Sequence, residues 1–126
     1  MSEDTVRFVT VHGVLVRVKD TGILITGKSG TGKSECALEL IHRGSQLVSD
    51  DVVIVTQKGS LLTGRAPQKT ANLMHIRDIG IINIKELFGN SSVQEQSTID
   101  MVIELKSRHN PPGEPSLQAY DNKYII

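Results

Sequence analysis

The chain has no tryptophan and few other aromatics, two Phe and two Tyr, so Ile, Val and Leu must fill any core. It has a single cysteine, Cys36, which excludes an intrachain disulfide and a cysteine-built zinc cluster. It has no excess charge of either sign. With 14 Lys+Arg against 14 Asp+Glu the formal net charge is zero, which removes the broad positive footprint of a nucleic-acid binder. No apolar run approaches membrane-spanning length. The opening "MSEDTVRFVT" lacks the basic and then apolar pattern of a secretory signal. Repeats and low-complexity tracts are absent as well. These absences lead to the expectation of a cytoplasmic protein with neither nucleic acid nor membrane as partner. The length of 126 residues leads to a single domain over 1–126 that is large enough to bury a core.

What is present is α/β patterning. "VRFVTVHGVLVRV" reads as two strands hinged near His12-Gly13, and "GILIT" as a short buried strand. A helix is predicted from about Ser34, with Ala37, Leu40 and Ile41 on one face and Leu38 at its border, ended by Gly44. "QLVS" and "DVVIVTQ" read as strands, and "KGSLLTGR" as a turn and an edge strand. Further on, the pattern predicts a short helix near Asn72–His75, a buried strand at Ile79–Ile84 and a helical turn at Lys85–Phe88. "SSVQEQ" reads as a polar loop, "STIDMVIEL" as one strand, "KSRHNPPGEPSLQ" as an exposed loop and "NKYII" as a terminal strand or the edge of a cut domain.

The most specific signal lies between the "GILIT" strand and the helix. Gly27-Lys28-Ser29-Gly30-Thr31-Gly32-Lys33-Ser34 fits G-x-x-x-x-G-K-[ST], the phosphate-binding loop. Its glycines permit backbone conformations closed to other residues, and the freed N–H groups form an anion-binding nest. The helix that follows adds unpaired N–H groups and the positive end of its dipole. In such a loop Lys33 reaches the β- and γ-phosphates and the Ser34 hydroxyl coordinates Mg²⁺. A plain glycine-rich turn would not need a Lys-Ser pair at the helix start.

Asp50 and Asp51 follow where one apolar strand ends and the next begins. A nucleotide site needs a carboxylate near the γ-phosphate, to hold the metal or to take a proton. Repulsion between neighbouring carboxylates raises the pKa of one of them, which suits a base working near neutrality. Spacing alone fits an ordinary Asp-Asp turn equally well.

"VHGVLVRV", "GILITGKSGTGKSECALELIHRG", "LVSDDVVIV", "GRAP" and "IRDIGIINIKELFG" occur in this order from about Val11 to Leu105. Together they resemble the catalytic domain of the HPr kinase/phosphorylases, leaving 106–126 as loop and terminal strand. The resemblance implies a P-loop domain similar to phosphoenolpyruvate carboxykinase with a mixed sheet. It implies ATP and Mg²⁺ as cofactors, and phosphorylation of a serine of an HPr-like phosphocarrier, reversible by phosphorolysis with inorganic phosphate. A homo-oligomer, a hexamer in the family, is implied too. By position, Asp50 matches the catalytic aspartate that takes the serine proton, and Asp51 the second aspartate, supporting metal and phosphate. His12 matches the histidine of the family's "HG" pair near the phosphate site. Arg77 matches the signature arginine that neutralises transferring phosphate, and Arg65 in "GRAP" matches less closely. Lys28 reads as a nucleotide sensor or a solvated side chain.

Three departures stand out. His75 occupies the position of a glutamate that helps hold Mg²⁺, and imidazole is a poor ligand for so hard a cation. Asp78 stands where glycine is usual and sets a negative charge beside Arg77. The sequence ends at Ile126, before the segments that the resemblance implies would contact HPr and help build the hexamer. A catalytically impaired nucleotide- or phosphate-binding regulatory module is therefore the alternative, and a kinase for another acceptor a third reading. Cys36, in the first helical turn, reads either as a redox-sensitive thiol activated by the helix N-terminus or as a small core residue.

Overall fold

The computed structural model describes residues 6–106 and a strand at 116–121. The valine-rich opening forms β1 (Val6–His12) and β2 (Val14–Val18), and the glycine between them turns the chain from one sheet into another. Then come β3 (Thr21–Gly27), α1 (Lys33–His42), β4 (Gln46–Ser49), β5 (Val52–Lys58) and β6 (Leu61–Arg65). A 3-10 turn (Gln68–Thr70) leads into β7 (Leu73–Ile76), β8 (Gly80–Asn83) and α2 (Ile84–Phe88). A second 3-10 turn (Asn90–Ser92) precedes β9 (Gln96–Thr98), β10 (Met101–Lys106) and β11 (Ser116–Asp121).

Five strands form a mixed sheet in the order β11-β10-β3-β2-β4. β10 runs parallel to β3, and the other neighbours are antiparallel. A four-stranded antiparallel sheet, β1-β5-β6-β9, covers one face of the mixed sheet. α1 and the β7-β8 hairpin cover the other. The strand period of two sorts the core into these two layers. On β2, Val14 and Val16 pack toward α1, Ile41, Met74 and Ile84, while Leu15 packs between the sheets with Leu24, Val53, Val55 and Ile99. Both sets are almost fully buried, and each such side chain contributes roughly 1.5–3 kcal/mol relative to exposure. The fold is α/β with a mixed sheet, as expected.

Several local expectations are corrected. The stretch around Asn72–His75 is strand, not helix. Met74 and Ile76 are buried at 1% and 4% while His75 is exposed, an alternation that only an extended chain produces. Nor is the following strand buried. β8 lies on the outside of a two-stranded hairpin, and Ile79 and Ile81 are 70% and 69% exposed. β6 is not an edge strand, because β9 pairs with its outer side. "STIDMVIEL" is not one strand. Asp100 bends it from one sheet to the other, its carboxylate accepting the Gly22 N–H at 2.8 Å while its own N–H donates to the Gly22 carbonyl at 2.8 Å. The expected loop at "KSRHNPPGEPSLQ" gives way to β11 from Ser116, while the terminal strand expected at "NKYII" lies outside the described residues. α1 ends as predicted, with Gly44 at φ 108° donating to the Ile41 carbonyl at 2.9 Å. α2 is capped by Asn83, whose side-chain oxygen accepts the Glu86 N–H at 3.0 Å.

Candidate active site

β3 carries the chain into the glycine loop, and α1 carries it out. Gly27, the last residue of β3, has φ 145°, and a Cβ there would sit 2.5 Å from the Leu105 carbonyl oxygen of the neighbouring β10. Only glycine fits this close approach. Thr31 closes the loop, its N–H and hydroxyl both donating to the Lys28 carbonyl, at 3.2 and 2.7 Å. The helix opens on Gly32 at φ 91°, which has no side chain to cap it. The first N–H groups of α1 thus face the loop's concave side, where an anion is the natural partner. The Lys33 ammonium curls back and donates to the Gly27 and Lys28 carbonyls, at 2.8 and 3.1 Å.

The second half of the site comes from the turn between β4 and β5. It is the tight Asp-Asp turn that spacing allowed. The turn is closed by the Val52 N–H donating to the Asp50 carbonyl at 2.9 Å and by the Ser49 hydroxyl donating to the Val52 carbonyl. Asp51 takes the left-handed region at φ 75°, which aspartate tolerates better than most residues. The turn puts the two carboxylates in different surroundings, yet the Asp51 charge still adds to the raised pKa of Asp50, after burial. Asp50 is 6% exposed and points beneath the loop, where its Oδ1 accepts the Ser34 hydroxyl at 2.8 Å and its Oδ2 accepts the His75 N–H at 2.9 Å. Burial raises its pKa, opposed by these two hydrogen bonds. Asp51 is exposed and faces the open side.

A cavity of about 270 Å³ lies between these elements. Ser29, Gly30, Gly32, Lys33 and Ser34 line it from the loop, Asp51 from the turn, and His75 and Arg77 from the hairpin. The structure therefore gathers Lys33, Ser34, Asp51 and Arg77 around one space. Arg77 lies over the loop, its Nη2 3.2 Å from where a Gly30 Cβ would be. Gly27, Lys28 and Thr31 support the loop from outside the lining, and Asp50 supports it from below. His12 is not brought in. It ends β1 as an exposed residue outside the cavity lining, paired with Val52 beside the turn, and its neighbour Gly13 donates its N–H to the Asp51 carbonyl at 3.0 Å. Arg65 lines a different cavity of about 510 Å³ with Lys85 and Gln94. Asp78 holds the β7-β8 turn at φ 70° without an ion pair to Arg77. Sequence reasoning missed Val14 and Glu35 in the lining. Glu35 directly follows the loop motif, so its position was available, but the motif assigns it no task.

The donor set partly suits magnesium. The Ser34 hydroxyl and Asp51 carboxylate are oxygen donors, and Mg²⁺ takes one or two such groups alongside substrate phosphates and water. Among the described residues no cluster of three or more His, Cys, Asp or Glu is able to hold a metal alone. Cys36 packs against the core, and burial raises its thiol pKa, opposite to the activated thiol considered from its helix position. Among the described residues no helix is long and apolar enough to cross a membrane.

The family profile described as HPr Serine kinase C-terminal domain matches residues 4–123. An HPr kinase/phosphorylase of Geobacter sulfurreducens is 57% identical over 96 residues, 75% of this chain and 30% of the relative. One from Clostridium botulinum (strain Eklund 17B / Type B) is 47% identical over 115 residues, 91% of this chain and 38% of the relative. The chain thus spans about a third of the length of the curated relatives it matches. The solved structure of the Hpr(Ser) kinase/phosphatase from Coxiella burnetii superposes with a TM-score of 0.76 at 37% identity, covering 84% of this chain and 64% of that one. With sequence motifs, mixed sheet and loop geometry in agreement, the chain belongs to the HPr serine kinase C-terminal domain family.

Proposed function

We propose that residues 1–126 form one catalytic domain of an ATP-dependent protein-serine kinase of the HPr kinase/phosphorylase type. Its acceptor is an HPr-like phosphocarrier, and it works in the cytoplasm as part of a homo-oligomer, a hexamer as the resemblance implies. One observation carries the reading: Lys33, Ser34, Asp51 and Arg77 converge on a single cavity at the N-terminus of a glycine-led helix.

The loop N–H groups and Lys33 hold the nucleotide phosphates, and Arg77 reaches the transferring group from the hairpin side. The acceptor serine oxygen attacks the γ-phosphorus in line. The bond from that phosphorus to the bridging oxygen breaks, and ADP leaves with its electrons. The geometry favours moving the expected base role from Asp50 to Asp51. Asp51 faces the cavity and is the group that takes the serine proton. Asp50, buried and doubly hydrogen-bonded, positions Ser34 and His75. In phosphorolysis an oxygen of inorganic phosphate attacks the phosphorus of phosphoserine, the bond from that phosphorus to the serine oxygen breaks as pyrophosphate forms, and protonated Asp51 gives its proton to the departing serine oxygen. Ser34 and Asp51 would hold Mg²⁺, which when bound neutralises charge on the phosphates. His12 supports the turn through Gly13.

The test is transfer of labelled γ-phosphate from ATP to an HPr-like protein. Label on serine is expected. Asp51→Asn should abolish it while ADP still binds within a few-fold, and transfer that persists in Asp51→Asn would overturn the assignment. His75 and Asp78 favour a second reading, a regulatory module that binds nucleotide without turnover. That reading predicts ADP binding with no label on any acceptor.

A further inference from the structure

The hairpin strand β7 presents its residues alternately. Met74 and Ile76 enter the core, so His75 projects from the opposite face, into the cavity that Arg77 lines from the adjoining turn. His75 is also anchored. Its N–H donates to Asp50 Oδ2 at 2.9 Å, and the other oxygen of that carboxylate accepts the Ser34 hydroxyl at 2.8 Å. One buried group thus fixes the Ser34 oxygen and the His75 backbone relative to each other, with Asp51 in the same lining. Among the described residues the His75 imidazole makes no hydrogen bond, while its charge acts on the neighbouring Asp50, so no hydrogen bond ties up its ring nitrogens.

A divalent ion seated against a nucleotide phosphate and Ser34 therefore meets a nitrogen donor in addition to the Asp51 carboxylate. Magnesium is small, requires a near-ideal octahedron of oxygen ligands and sheds water reluctantly. Imidazole suits first-row transition ions, whose affinity for mixed nitrogen and oxygen sites rises along the series from manganese. We infer that His75 is a nitrogen ligand to the metal of the nucleotide complex, and that it gives this site a preference for Mn²⁺ and its heavier neighbours over Mg²⁺. This deepens the proposed function and rests on its nucleotide site.

The experiment loads the chain with ADP and Mn²⁺ and reads the metal by pulsed electron paramagnetic resonance. A directly bound ¹⁴N coupling is expected in the parent protein and lost in His75→Gln, which keeps the backbone N–H that holds Asp50. In parallel, competition between Mn²⁺ and Mg²⁺ for the ADP complex should show the manganese preference falling by about tenfold or more in His75→Glu, since even partners that merely orient a ligand change metal affinity by roughly 10–100-fold. A parent complex that binds ADP and Mn²⁺ with no nitrogen coupling, or an unchanged preference in His75→Glu, would overturn the inference and leave the kinase reading standing. Failure to bind ADP, with or without metal, would overturn both.

Discussion

Ser34→Ala and Asp50→Asn, singly and together, measure the contact at the base of the phosphate loop. Asp50 is 6% exposed and accepts two hydrogen bonds, at 2.8 Å from the Ser34 hydroxyl and 2.9 Å from the His75 N–H. A hydrogen bond to a charged group contributes about 1.5–3 kcal/mol, so Ser34→Ala should destabilise the chain by about 2 kcal/mol at neutral pH. For a domain of this size that is a fall in Tm of roughly 6–10 °C. In the Asp50→Asn background the same change removes only a neutral hydrogen bond of about 1 kcal/mol, giving a coupling near 1 kcal/mol. The Ser34 hydroxyl lowers the Asp50 pKa against the raising effect of burial, so it stabilises the ionised form. The Ser34→Ala penalty must therefore be full above the folded-state pKa of Asp50 and shrink as pH falls toward the ordinary carboxylate value of 3.8. Urea denaturation of the four proteins between pH 4 and pH 7.5 supplies the numbers. Equal penalties at both pH values together with additive mutants would refute the reasoning.

Three further outcomes are expected. Asp50 has a raised pKa in the fold, so its contribution to stability is full below 3.8 and is lost as pH rises through the folded value. Asp50→Asn should flatten that part of the stability profile, and an unchanged slope in thermal melts would contradict the burial argument. Gly22→Ala would place a Cβ 1.6 Å from the Thr98 carbonyl oxygen and break the crossing between the sheets, at a cost of about 4 kcal/mol or more. Gly59→Ala, with nothing within 4 Å, should cost only about 1–2 kcal/mol through its positive φ of 62°, and equal denaturation midpoints for the two variants would count against the close-packing account. Cys36, half-buried and with its thiol pKa raised by that burial, should react with iodoacetamide at pH 8 more slowly than a free thiol, and faster labelling would mean an activated cysteine after all.

The hairpin explains why His75 and Arg77 were assigned to the site by resemblance and not by residue pattern. "NLMHIR" carries no helix signature beyond mixed apolar spacing, and four residues are too few to separate a period of two from one of 3.6. Read as helix, it would have turned His75 and Arg77 roughly 200° apart around the axis. As β7 and the turn that follows it, the segment brings His75 and Arg77 to the same cavity beside the loop. "SSVQEQST" likewise has too little alternation to announce β9, which forms because β6 offers it a hydrogen-bonding edge.

The sequence by itself determined the phosphate loop, its flanking strand and helix, and the presence of carboxylates shortly after. These depend on local backbone freedom and short-range periodicity, which neighbouring residues carry. Only the tertiary structure decided which aspartate is buried and which faces the cavity, that His12 stays outside, and that His75 and Arg77 stand over the loop. Those outcomes rest on one left-handed residue at Asp51 and on sheet pairings between segments far apart in the chain, which no local pattern encodes.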